Sequence, residues 1–153
     1  MSVLTENKRA RFDYEILETF EAGVVLSGIE AKSAKKNRID LTDSFVRPNS
    51  RNEVVLVNAK IYPFQPENSP KDYKIDRTRK LLLRKKEAKS LLGRLQEKKL
   101  TAVPLRVYTS KNRVKLLIGV AKSKRQFEKR ELLRKKAIDR EVERTLTIRN
   151  PKH

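Results

Sequence analysis

Val103, Leu105 and Val107 recur at every second position, Val114, Leu116, Ile118 and Val120 do the same, and Ser110-Lys111-Asn112 stands between the two series. A period of two places each series on one face of a strand, and a polar insert this short returns the chain antiparallel. A hairpin with an apolar face is marginal by itself, so the rest of the chain must supply strands or a helix to cover it.

Upstream segments meet that demand. The spacing predicts a strand over Asp13 to Leu26, with Tyr14, Ile16 and Phe20 on one face, Ala22, Val24 and Leu26 continuing it, and a bend or bulge near Gly23. Ala31 to Arg38 reads as a short helical or irregular basic connection. Two more strands follow, Ser44 to Arg47 and Glu53 to Tyr62, parted by the turn Pro48-Asn49-Ser50-Arg51-Asn52. In the second of these, Val55, Val57, Ala59 and Ile61 share a face. Pro63 to Asp76 reads as an exposed, proline-rich loop. A helix is predicted over about Thr78 to Lys99, because Ala88, Leu91, Leu92 and Leu95 recur at i, i+3, i+4 and i+7 and Lys98 and Lys99 complement the dipole of a last turn. The resulting order, three strands, a helix and a hairpin, fits a mainly β protein with helices. Its architecture is an OB-type closed antiparallel barrel with a long helix before the last hairpin and a basic C-terminal tail. An open α+β sandwich gives the same string; a first strand long enough to serve two sides favours the barrel.

Charge divides the chain differently. The formal net charge is +19, yet residues 1 to 70 are neutral overall, residues 71 to 100 carry +8, and residues 122 to 153 carry +7. A neutral scaffold with a basic face and a basic arm suits a polyanion, with nucleic acid ahead of an anionic membrane surface. The chain has no Cys and its only His is His153, which removes thiol nucleophiles, zinc clusters and His-based triads. No apolar run reaches the length of a membrane span or an export signal, so a cytoplasmic protein without membrane contact, metal or cofactor is expected. Past Ala121 the strand alternation stops, and Ile138, Val142 and Leu146 form one thin stripe among charges. This predicts two regions: an RNA-binding barrel over 1–121, and a tail over 122–153 that is disordered alone and helical on a polyanion.

Five blocks sharpen the expectation. NKRARFDY at Asn7 to Tyr14, EAGVVLSGIEAKS at Glu21 to Ser33, DSFV at Asp43 to Val46, TRKLLL at Thr78 to Leu83 and GVAKSKRQFEKR at Gly119 to Arg130 resemble, in order and spacing, the small protein B (SmpB) family. The resemblance implies an OB-type barrel and a non-catalytic adaptor of trans-translation. Such an adaptor binds the tRNA-like domain of transfer-messenger RNA and brings it to stalled ribosomes. Its tail occupies the empty decoding site against small-subunit ribosomal RNA and the message channel, and elongation factor Tu is an indirect partner. The chain departs from the family pattern at Phe12, where His is usual, at Ala31 for Val, at Ser123 for Gly, at Phe127 for His or another planar ring, and at Glu128 for Asp.

Read from the residues alone, Glu30 beside Lys32 suits either acceptance from base amino groups, with Lys32 on a phosphate, or a capping or surface ion-pair role, which the residues favour. The resemblance implies instead that Glu30 accepts from bases and Lys32 meets a phosphate, with Ser33, Asn7, Arg9, Lys35, Asn37 and Arg38 beside them. Arg79 and Lys80, entering the predicted helix, are candidates for phosphate contact. In the tail, Lys122, Lys124, Arg125, Lys129 and Arg130 surround Phe127, a ring among cations that suits base stacking. Two other functions fit parts of this pattern: an OB-fold ribosomal or ribosome-assembly protein, and a Lys-dependent nucleotidyl or nuclease enzyme.

Overall fold

The computed structural model describes residues 2–68, 70–124, 134–138 and 140. Two compact units are distinguished, Met1–Ser123 and Lys124–His153. In the second, residues 134–138 and 140 are helical and exposed, Ile138 among them; Val142 and Leu146 of the expected stripe lie outside the described residues.

The first unit is mainly β with a few helices. Its elements run β1 (Ser2–Glu6), α1 (Lys8–Asp13), β2 (Tyr14–Val24), α2 (Gly28–Lys35), β3 (Ile39–Asp40), β4 (Phe45–Pro48), β5 (Val54–Val57), β6 (Lys60–Ile61), β7 (Arg79–Leu82), α3 (Lys85–Leu95), β8 (Leu100–Ser110) and β9 (Arg113–Ser123). One antiparallel sheet has the order β1-β8-β4-β5-β7-β2-β9, with β8 also paired to β9; β3 and β6 form a separate pair. The pairing is uneven, since β4 meets β8 at one register position, Val46 opposite Ala102, and β2 meets β7 only at Gly23 and Val24.

The hairpin forms where the alternation placed it. Lys111 and Asn112 both have positive φ, the conformation of a two-residue turn whose twist matches its strands. Its two apolar series divide differently from the expectation. Val114, Leu116, Ile118 and Val120 all face the main core, but a bulge between Pro104 and Arg106 turns β8 over. Val107 therefore joins the main core while Val103 and Leu105 face a second cluster with Ala10 and Ala121. Pro104, which has no N–H to give a ladder, sits at that bulge. In β2 the bulge lies between Ile16 and Glu18 rather than near Gly23. It sends Ile16 to the second cluster and Phe20 and Ala22 to the first. Gly119 leaves little room at the second cluster, where a Cβ would stand 2.9 Å from Leu105 Cδ1 and 3.3 Å from Ile16 Cδ1.

Three expectations are corrected. The long helix over Thr78 to Lys99 is a strand followed by a helix of eleven residues. Arg79–Leu82 fills the gap between β5 and β2, alternately buried and exposed, and Arg84 adopts the extended conformation that starts α3. A triple leucine run does not distinguish strand from helix by periodicity. Lys98 and Lys99 thus lie beyond the helix, whose last turn holds Arg94 instead. The strand over Glu53 to Tyr62 is broken at Asn58, which has positive φ, into β5 and β6. The start of the chain, for which no element was expected, forms β1 and α1. Asn7 joins them as helix cap: its side chain accepts from Ala10 N at 3.2 Å and donates to Pro104 O at 2.9 Å.

Candidate nucleic-acid interface

α2 begins with a capping box. Ser27 Oγ accepts from Glu30 N at 3.2 Å, and Glu30 Oε1 accepts from Ser27 N at 2.9 Å, satisfying two donors that a helix start leaves open. The same carboxylate receives two arginines from the far side of the loop. Arg77 donates through Nε to Oε2 at 3.2 Å and through Nη2 to Oε1. Arg79, fully buried on β7, donates to Oε2 through Nη2 at 2.7 Å and Nε at 3.0 Å. Its remaining donors reach Ala59 O at 2.6 Å and Ile75 O at 3.0 Å. Burial alone would push the Glu30 carboxyl up, but the hydrogen bonds from Arg77, the Ser27 N–H and Arg79 outweigh it and hold the pKa at about 2.

This network sorts the residues singled out in the sequence. Glu30, Ser33, Arg79 and Asn7 are buried. Ser33 Oγ accepts from Phe64 N at 3.3 Å, Arg79 is consumed by Glu30 and two carbonyls, and Asn7 caps α1. These four side chains are thus engaged within the chain, Glu30 in a capping box and a buried ion pair. The cations around them do face solvent. Lys32, Lys35, Asn37 and Arg38 are exposed on α2 and just past it, with Asn37 at positive φ turning the chain away from the helix. A backbone bond from Tyr62 N to Arg38 O at 2.8 Å fixes that turn against the segment after β6. Lys80 is exposed on β7 and paired with Glu53 at 2.7 Å. Arg9 lies apart on α1, bonded to Asp13 at 3.2 Å and 5.6 Å from the Phe12 ring centroid. Lys122 is exposed at the end of β9 and Lys124 is half-buried; Arg125, Phe127, Lys129 and Arg130 lie outside the described residues.

Beside α2 the structure adds a groove that sequence reading missed. Val24, Leu26, Leu82 and Val114 form an apolar floor, and Lys35, Arg113 and Lys115 surround it. Leu82 is 55% exposed, the highest value among the large apolar side chains described in the first unit. Lys115 pairs with Glu21 at 3.3 Å, and the Tyr108 hydroxyl, bonded to Glu21, is the first cause that lowers the Glu21 pKa. The available signal was the alternation of Arg79–Leu82 itself, since a strand that buries Leu81 must turn Leu82 outward. Aliphatic floor, guanidinium and ammonium groups together suit an unpaired nucleotide, base on the floor and phosphate at the rim. Among the described residues no group of three or more His, Cys, Asp or Glu could hold a metal, and no helix is long and apolar enough to cross a membrane.

Comparison with known proteins identifies the family. The family model described as SmpB protein matches residues 4–148. An SsrA-binding protein of Coprothermobacter proteolyticus is 46% identical over 150 residues, covering 97% of this chain and 99% of the relative. One of Halalkalibacterium halodurans is 47% identical over 148 residues, covering 97% and 95%. A chain from a solved structure, described as "tmRNA-SmpB: a journey to the center of the bacterial ribosome", superposes with a TM-score of 0.68 at 42% identity, covering 88% of this chain and 96% of that one. With a family model matching residues 4–148 and relatives at this identity over almost their whole length, the chain belongs to the SmpB family.

Proposed function

We propose that this protein is a cytoplasmic, non-catalytic RNA-binding adaptor of trans-translation, which binds the tRNA-like domain of transfer-messenger RNA and delivers it to stalled ribosomes. The observation that carries the reading is the juxtaposition of the exposed cations of α2 with the groove over Leu82, in a chain whose relatives bear the name SsrA-binding protein and whose solved neighbour is described with tmRNA in the bacterial ribosome. The sheet, which we read as an OB-type barrel, presents this surface. Lys32, Lys35, Asn37, Arg38 and Lys80 hold phosphates, Leu82 supports a base, and Glu30, Arg77 and Arg79 keep α2 in register with β7. Arg9 extends the contact from α1. Lys122, Lys124, Arg125, Phe127, Lys129 and Arg130 belong to a separate function, in which the tail folds against small-subunit ribosomal RNA in the vacant decoding site and message channel. Elongation factor Tu acts through the bound RNA.

The reading is tested by binding of the isolated tRNA-like domain across a salt series, with tagging on a message lacking a stop codon measured in parallel. Affinity should fall with salt by a log–log slope of roughly 0.7 to 0.9 per phosphate contacted. Binding no tighter than to an unrelated hairpin RNA at equal salt, or no tagging by the full chain, overturns it.

A further inference from the structure

A second groove runs along α3. It belongs to a different part of the unit from the α2 surface, since α2 packs on β6 whereas α3 packs on β8 and β9. Pro48, Leu83, Ala88, Leu92 and Leu95 make its floor, in a volume of about 650 Å³. Lys85 and Lys89 line its rim, and the lining holds no aromatic ring, no guanidinium and no carboxylate. Gly93, in the helix beside the groove, is exposed, and a Cβ placed there would meet nothing within 4 Å. Its φ is not positive, so neither packing within the chain nor backbone conformation calls for glycine. A glycine inside a helix weakens it; what the missing side chain provides is close access to the helix backbone from outside.

We propose that this groove docks an acidic, amphipathic segment of another protein, its aliphatic side chains on the leucine floor, its carboxylates at Lys85 and Lys89, and its backbone against Gly93. RNA fits this groove less well than the one over Leu82, because bases stack on rings and guanidinium planes and this lining offers neither. A second copy of the chain is opposed by a net charge of +19 on each. The mode is an amphipathic helix laid in a groove, and it stands on geometry separate from the RNA interface.

The test needs neither transfer-messenger RNA nor ribosomes. Isotope-labelled full-length protein is titrated with a short helical peptide bearing Leu on one face and Glu on the other, with the same peptide carrying Lys for Glu, and with oligouridylate. The Glu peptide should shift the amide resonances of α3, and the Lys peptide should not. Gly93→Gln should raise the melting temperature, Gln being the better helix former, while weakening peptide binding about ten-fold or more. Lys89→Glu, also at an exposed position, should weaken it without a change in folding. No shift at α3, equal binding by Gly93→Gln, binding of both peptides alike, or oligouridylate shifting α3 in place of the peptide overturns the proposal.

Discussion

Arg79 and Glu30 form a buried pair, 2.7 Å from Nη2 to Oε2, across 49 residues of sequence, with the arginine fully buried and the carboxylate 2% exposed. The pair ties the third residue of α2 to the first residue of β7, so the basic helix and the strand that presents Leu82 cannot shift independently.

Strong acid should loosen this tie. A carboxyl held at about 2 instead of its ordinary 4.5 contributes stability that is fully present at neutral pH and is lost as the pH falls from about 4.5 through 2. The contribution is on the order of 3 kcal/mol. Chemical denaturation at pH 7, 4 and 2.5 should show it. In Glu30→Gln that part of the pH dependence should vanish, and the protein should be less stable at pH 7.

Arg79→Met should cost about 3–5 kcal/mol, because it leaves the Glu30 carboxylate buried with the half-exposed Arg77 as its remaining cationic partner. The double variant Arg79→Met with Glu30→Met should recover a large part of that loss in a denaturant melt. A strictly additive double variant would mean that the two residues do not act as a pair.

Lys35→Ala and Leu82→Ala alter exposed groups and should leave the melting temperature unchanged. Each should weaken binding of the tRNA-like domain about five- to ten-fold, near 1 kcal/mol. The two should differ in salt dependence: Lys35→Ala lowers the slope of the salt series by roughly one contact, and Leu82→Ala leaves it intact.

Truncation after Ser123, the end of the first compact unit, should preserve cooperative unfolding and RNA binding while abolishing tagging on a message without a stop codon. Within the full chain, Phe127→Ala should lose part of the tagging and Phe127→Tyr should retain it if the ring stacks. Full tagging by the truncated chain would assign the tail no part in the process.

Gly119→Ala should destabilise by about 1–3 kcal/mol, since the new methyl group meets Leu105 and Ile16 at less than normal contact distance. Leu105→Ala in the same chain should relieve part of the clash, which a thermal melt of the three variants would reveal.

What could be read in advance was whatever obeys a local period. The hairpin, the leucine stripe of α3 and the turn over Pro48 to Asn52 each depend on residues a few positions apart. The bulges that redirect Ile16 and Val107 depend on a partner strand, so the even spacing of Ile16 with Phe20 pointed both toward one core when the structure uses two. Arg79 shows the same limit at the site. In sequence it is one cation in a basic run, and nothing there discloses its buried bond to a carboxylate 49 positions away. Lys32, Lys35 and Arg38, whose exposure follows from a short helix rich in cations, remain where the sequence put them.

The placement of β1 sets an order on the making of the protein. Ser2 to Glu6 pair with Arg106 to Thr109, and Asn7 donates to Pro104, 97 positions on, so a segment made early finds its partners only much later. At 5–20 residues per second, the segment waits about 5–20 seconds for that strand to be made. Until then Asn7, the cap of α1, lacks the Pro104 carbonyl that anchors it. A chain cut short by a broken message before β8 therefore cannot complete the fold, and a rescue factor of this design is itself among the products that depend on an intact message.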